Sequence, residues 1–318
     1  ENKKQGEKET AAERKEGQLK RFFGGSGKVL LGTREAAEIM VGLSGKRRPA
    51  VLYIGTATYD LPGPREAHVA SLAALGCPVS DLALTRATPG QAELSAAVQG
   101  ADVLLVSGGN TLWAVDRWRA VGLPALLRAA AERGAVLAGG SAGAICWFDG
   151  GHSDSMDPHT HLATPWLFTG ASDDAAGQRP SWEYIRVPGL GLLPGLVCPH
   201  HDRVQSNGVA RAEDIDEMLL RHPGEIGLCI DHFAAVVVEG ESYRVFSLDG
   251  REGSVMGDGS LSRSRGGAPG AWVKRVEGGR VVERLVPREG RLSELLRPAS
   301  AVAEDPRVEA ARAANPQP

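Results

Sequence analysis

The chain has 318 residues, 42% hydrophobic and 24% charged, with 36 basic against 39 acidic side chains and a net charge of −3. Those values exclude a wholly disordered chain, and the absence of a basic excess argues against nucleic acid as a partner. No run of 18 apolar residues occurs, so no membrane span is expected. Four scattered cysteines without a CxxC pair (Cys77, Cys146, Cys198, Cys229) point to a reducing compartment rather than a disulfide framework. Length alone suggests about two domains, or one α/β domain with elaborations.

Residues 1–21 carry seven Lys/Arg and five Glu with almost no large apolar side chain. They are read as a flexible charged extension, because such a segment buries too little to offset its ordering entropy. The chain opens on Glu1, so an organelle location after removal of a transit peptide stays open beside a cytoplasmic one. From Lys28 onward, β-type runs alternate with amphipathic stretches. The sequence predicts a first strand at 29–31, a helix from Arg34, a strand at 50–58, a helix over 64–76, a strand from Pro78 and a helix over 91–100. A strand over 101–111 follows, then a helical stretch over 112–134 broken near Gly122 and Pro124, and a strand from Ala135 that runs into a small-residue turn. This alternation predicts an α/β fold with a mostly parallel sheet and helices on both faces. Residues 150–162 read as a polar loop. A strand returns near 189–202, a helix is expected over 211–224, and antiparallel strands over 225–248 and 272–286, the last as a hairpin across Gly278 and Gly279. The expected organisation is one α/β domain over 22–298 and a peripheral C-terminal tail over 299–318.

The strongest chemical signal is Gly139, Gly140, Ser141, Ala142, Gly143, a G-x-S-x-G pattern between a predicted strand and a predicted helix. A nucleophile on such a turn needs neighbours without bulk, and the N–H groups opening the following helix would face a developing oxyanion. Ser141 needs a base. His200 and His201 follow the strand GLVCP, where a rigid sheet edge places catalytic groups. Asp154, Asp157, Asp202, Glu225 and Asp231 are all open as the group that orients an imidazole. His152, His159 and His161 lie in the polar loop and read as solvated rather than as a metal site. Ser107, Gly108, Gly109, Asn110 and Thr111 close a second strand with glycines that let backbone approach a ligand. GGSGK at 24–28 lacks the full spacing of a phosphate loop, so no nucleotide or other cofactor is expected.

VSGGNT, then GGSAGAICW, then LGLLPGLVCPHH in that order resemble the peptidase E family, the aspartyl dipeptidases. These are relatives of cyanophycinases within the class I glutamine-amidotransferase-like, flavodoxin-like α/β fold. The resemblance runs from about Gly32 to Leu248. It implies Ser141 as nucleophile, His200 as base, and Gly109 and Ala142 as oxyanion donors. It implies Asp154 as the third member, with Asp231 as the alternative. His201 stands where the family often has an aromatic. Asn110 and Thr111 are expected at the substrate, with Arg211, or else Arg203, holding its acidic side chain. A metal-free serine dipeptidase acting on peptides with an N-terminal aspartate, working as a homodimer, is the implied activity. A cyanophycinase-like, isoaspartyl or amide hydrolase and a non-catalytic scaffold are the alternatives. FFGGSGKVLLGT departs from the family pattern, since its glycines precede the expected first strand.

Overall fold

Apolar runs bounded by glycine, such as VLYI and VLLV, become short strands buried on both faces. The computed structural model describes residues 19–162, 181–263, 266–299 and 301–317. The expectation of flexibility for residues 1–18 therefore lies outside the described residues.

The first strand is β1 (Lys20–Gly24), and the VLL segment expected to be that strand is instead the one-turn helix α1 (Lys28–Leu31). Phe22 and Phe23 explain the difference. Both are fully buried, one on each face of the sheet, and the flanking Lys20 and Arg21 disguise the pair as part of a charged tail. The glycines of the 24–27 loop thus follow their strand rather than precede it. Next come α2 (Arg34–Ser44), β2 (Val51–Ile54), α3 (Pro62–Ala74), β3 (Val79–Asp81), α4 (Gln91–Gln99), β4 (Val103–Val106), α5 (Thr111–Ala120), α6 (Leu123–Glu132), β5 (Val136–Gly140) and α7 (Ala142–Ile145). Local chemistry sets several of these ends. The Thr33 hydroxyl accepts from the Ala36 N–H to cap α2, and Gly45 ends it at φ 70°. Gly122 separates α5 from α6 at φ 75°.

The chain continues through β6 (Phe148–Ser153), β7 (Ile185–Pro188), β8 (Leu193–Cys198), α8 (Arg211–Arg221), β9 (Gly227–Ile230), β10 (Ala234–Glu239), β11 (Ser242–Ser247), β12 (Ala271–Glu277), β13 (Arg280–Leu285), β14 (Glu289–Arg291) and α9 (Arg307–Ala314). Part of the expected polar loop is therefore strand. Gly150 and Gly151 of β6 lie so close to Arg186, Val187, Ile145 and Val197 that no side chain would fit, and they replace the apolar alternation that normally announces a strand.

Two sheets result. The larger has the order β14-β11-β10-β1-β5-β4-β2-β3, in which β1, β5, β4, β2 and β3 run parallel and β10, β11 and β14 extend it antiparallel. The smaller has the order β13-β12-β9-β8-β6-β7, with β6, β8 and β9 parallel at its centre. Leu52, Ile54, Leu104 and Val106 face α4–α6 and the smaller sheet, while Val51, Tyr53, Val103 and Leu105 face α1–α3. The two sheets share one core, where the Phe23 and Phe148 rings meet edge to face at 4.9 Å. The architecture is an α/β fold of the class I glutamine-amidotransferase-like kind. Among the described residues no helix is long and apolar enough to cross a membrane.

The 305–317 segment, expected as a peripheral tail, is fastened to the domain. Asp305 accepts from the Arg186 N–H, Arg312 pairs with Asp116, and Asn315 bonds to the Tyr59 hydroxyl and the Leu162 N–H.

Candidate active site

Five strand ends converge: those of β1, β4 and β5 in the larger sheet and of β8 and β9 in the smaller. The carboxyl ends of parallel strands are where open α/β sheets leave a crevice. Ser141 follows β5 directly at φ 56° and ψ −122°, a region that side-chain-bearing residues avoid. It is 8% exposed. His200, two residues past β8, also has a positive φ of 52°. Its Nε2 lies 2.9 Å from the Ser141 Oγ, within reach for proton transfer.

The 24–27 loop, which sequence reasoning set aside, brackets this pair. The Gly24 carbonyl accepts from the Ser141 N–H at 3.1 Å, and the Gly25 carbonyl from the His200 N–H at 3.0 Å. The Ser26 hydroxyl donates to the His232 carbonyl at 2.6 Å. The approach leaves no space for side chains. A Cβ on Gly25 would lie 1.9 Å from the Asp231 carbonyl oxygen, and one on Gly140 1.9 Å from that of Ser26. Three glycines in five residues were the available signal, masked by the misplaced first strand.

Gly109 sits at φ 115°, with the Ala57 carbonyl oxygen where a Cβ would stand, and a Cβ on Gly108 would lie 3.3 Å from that of Ser141. The 107–110 loop thus passes directly beside the serine, and Ala142 follows the serine as the first residue of α7. α7 is a single turn rather than the longer helix expected after the serine, so any oxyanion stabilisation here comes from individual N–H groups and not from a long dipole. Asn110 and Thr111, expected at the substrate, are buried and bonded inward. Asn110 Oδ1 caps α5 by accepting from the Trp113 N–H, and its amide donates to the Thr160 hydroxyl at 3.1 Å. The Thr111 hydroxyl lies 3.5 Å from that of Ser153.

Neither expected carboxylate meets His200. Asp154 is joined to Arg211 at 2.7 Å. Arg211 is fully buried, stacks over the Tyr184 ring at 4.7 Å and donates to the His152 carbonyl. The residues expected to orient the base and to hold the substrate's acidic group thus satisfy each other, as a buried guanidinium requires. Asp231, at the end of β9, accepts from the Ser254 N–H and hydroxyl and from the Gly270 N–H. It lies 3.3 Å from His201 Nδ1. The group that does reach the second nitrogen of His200 is His232, whose Nδ1 lies 2.7 Å from His200 Nδ1.

Burial, and after it the charges of His232, Arg211 and Arg203, hold the His200 imidazole well below the ordinary histidine range. Arg203 remains near the base, its N–H bonded to the His200 carbonyl at 2.9 Å and its guanidinium 5.1 Å from the centre of the Phe233 ring. Arg251 approaches the same ring at 5.2 Å. His152 is bonded to Asp214, and among the described residues no group of three His, Cys, Asp or Glu is placed to hold a metal ion. A groove of about 1050 Å³ runs between α2 and the β10-β11-β14 edge and includes none of these residues.

The model of peptidase family S51 matches residues 24–246. A protein of Trypanosoma brucei brucei named G2/mitotic-specific cyclin-1 is 30% identical over 280 residues, covering 80% of this chain and 78% of that protein. The uncharacterized peptidase YgaJ of Bacillus subtilis (strain 168) is 33% identical over 159 residues, covering 50% of this chain and 57% of its own. A Listeria monocytogenes EGD-e structure described as peptidase E superposes with a TM-score of 0.52 at 17% identity, over 73% of this chain and 99% of that one. A peptidase from an acI-B1 actinobacterium gives 0.54 at 17% identity, over 86% and 97%.

Proposed function

Because the chain belongs to peptidase family S51, the peptidase E family, we propose that it is a serine-type peptidase that hydrolyses small peptides through an acyl-enzyme. The observation that carries the reading is the 2.9 Å contact between the strained Ser141 hydroxyl and His200 Nε2. A base kept well below the ordinary histidine range is unprotonated at neutral pH and ready to accept.

In the proposed reaction His200 Nε2 takes the Ser141 proton as the oxygen attacks the peptide carbonyl. The N–H groups of Gly109 and Ala142 stabilise the oxyanion. His200 then returns the proton to the leaving amine, and a water activated in the same way releases the acid and restores Ser141. We assign recognition of an acidic N-terminal side chain to Arg203, which stands beside the base, pairs with Asp202 at 3.3 Å and has Arg251 across the Phe233 ring, so that dipeptides of the Asp-X type are the proposed substrates.

Hydrolysis of Asp-X, isoaspartyl-X and Ala-X dipeptides by the wild type and Ser141→Ala tests the reading. The variant is expected to lose about a thousandfold or more in turnover, and Arg203→Ala to raise KM for Asp-X selectively. Equal rates for wild type and Ser141→Ala would end the assignment. A preference for isoaspartyl-X would move the substrate class while keeping the serine. A folded protein that neither hydrolyses nor reacts with a serine-directed probe would point to a scaffold.

A further inference from the structure

We propose that His232 is the positioning residue for His200, so that a pair of imidazoles stands where a serine hydrolase ordinarily sets an imidazole on a carboxylate. The proposal rests on the reading of Ser141 and His200 given above and names the group that completes that site.

The geometry carries it. His200 Nε2 can accept the Ser141 proton only if the ring's other nitrogen carries the hydrogen. That Nδ1–H has His232 Nδ1 opposite it at 2.7 Å, and the rings lie 4.8 Å apart, inclined at 45°. In the competent tautomer His232 Nδ1 is therefore the acceptor and its own hydrogen sits on Nε2. His232 is held at both backbone groups. Its N–H donates to Asp202 Oδ1 at 2.6 Å, and its carbonyl accepts from the Ser26 hydroxyl at 2.6 Å. The Phe233 ring packs edge-on against it at 4.7 Å. β8 and β9 are parallel neighbours with Cys198 opposite Cys229, and this register delivers both histidines to the same strand ends.

An imidazole reproduces one of the carboxylate's two services. It fixes the tautomer and direction of His200. It supplies no negative charge for the imidazolium formed when Ser141 loses its proton, and the positive charge is shared across the Nδ1–Nδ1 hydrogen bond instead. The charged groups around the pair include Arg203 and Arg211, which oppose protonation of His200, Arg251 on the far side of the Phe233 ring, Asp202 at the His232 N–H, and Asp231, whose carboxylate is taken up by Ser254, Gly270 and His201. Asp202 accepts from the His232 backbone N–H and so steadies His232, while the second nitrogen of His200 meets His232 itself.

His232→Glu supplies the missing charge, His232→Gln keeps a polar side chain that does not titrate, and His232→Ala removes the partner. The measurements are kcat/KM against pH on the preferred dipeptide, labelling by a serine-directed probe against pH, and the His200 titration followed by NMR with nitrogen-labelled histidine. Thermal unfolding of each variant serves as the folding control. In the wild type the acid limb is expected below the ordinary histidine range. His232→Glu is expected to move the limb and the His200 titration upward together by about 1–3 pH units. His232→Ala is expected to lower kcat at least about tenfold with little change in KM.

If Glu leaves the His200 titration in place and Ala matches the wild type, His232 is a bystander and the proposal fails. A wild type without hydrolysis or labelling would overturn the peptidase reading instead. The His200 titration would still decide the pairing, because it needs no substrate.

Discussion

A serine held at φ 56° and ψ −122° stores backbone strain of about 1–3 kcal/mol, and the 24–27 loop and the β5 register keep it there. Ser141→Gly and Ser141→Ala both remove the nucleophile, but only glycine relaxes at positive φ. The glycine variant is expected to unfold at higher denaturant than the alanine variant by about 1 kcal/mol, with both inactive. Gly25 is the reverse case. Its missing side chain is what lets the loop after β1 pass the end of β9, and a Cβ would run into the Ile230 and Asp231 backbone, which cannot step aside. Gly25→Ala is expected to cost activity and several degrees of Tm together, whereas an exposed alanine substitution leaves both in place. Histidines set the response to acid. Burial pushes His68 down to about 4, the Pro64 carbonyl only partly opposing it. A histidine depressed in the fold contributes stability above its unfolded pKa near 6.5 and loses it as pH falls toward 4, by about 1.4 kcal/mol per pH unit at most. Asp202, pushed up to about 6 by burial and by Asp231, works in the opposite sense, gaining stability as pH drops through that value. Thermal unfolding between pH 7 and 4 should show a net loss for the wild type and a shallower slope for His68→Gln.

Elements, not single residues, explain why the acid candidates part from the base. Asp154 follows β6 and meets the first residue of α8, so it belongs to the seam that docks α8 on the smaller sheet. His152, Asp214 and Tyr184 complete that seam around the Arg211 guanidinium. Asp154→Asn is expected to cost about 3 kcal/mol of stability by leaving a buried cation short of its counter-ion, while the acid limb of activity stays where the wild type has it. A shifted limb with unchanged stability would return Asp154 to the base. α9 poses a similar question of docking. It lies against α5 through Arg312 and Asp116 and, past its end, through Gln317 on the Trp113 carbonyl, while Asn315 bonds to the Tyr59 hydroxyl in the segment between β2 and α3. Because α5 begins at the Asn110 cap beside the Gly109 loop, removal of residues 305–318 is expected to lower Tm and to reduce kcat more than removal of residues 1–18.

At the scale of the molecule, the proposed nucleophile stands on one sheet and its base on the other. Phe23 against Phe148 and the shared core beneath make the sheets one cooperative body, so alignment of Ser141 with His200 depends on both being folded. Activity, probe labelling and tryptophan fluorescence are expected to disappear at one denaturant midpoint. Loss of labelling well before loss of fluorescence would mean that the smaller sheet opens by itself. The Gly24 and Gly25 carbonyls are the hinge of this arrangement, since adjacent residues of one loop bind the backbone of each half of the pair.

Although His200 was preferred to His201 only through the resemblance to the peptidase E family, period, punctuation and the G-x-S-x-G turn were enough to read the α/β class, most helices, the C-terminal hairpin, and the strand-to-turn setting of Ser141. Each of these depends on local chemistry: a 3.6-residue apolar stripe, a glycine stop, a nucleophile that tolerates only small neighbours. β1 was hidden because Phe22 and Phe23 gain their value from neighbours more than a hundred residues away, Ala138 and Val237 among them. The second sheet was hidden because β6 carries glycines where a strand normally shows alternating apolar residues. The partner of His200 lay beyond sequence reasoning for the same reason. Asp154, Asp202, Asp231 and His232 all sit at plausible distances along the chain, and only the side-by-side pairing of β8 with β9, together with the neutralising contact of Arg211, decides which side chain reaches the imidazole.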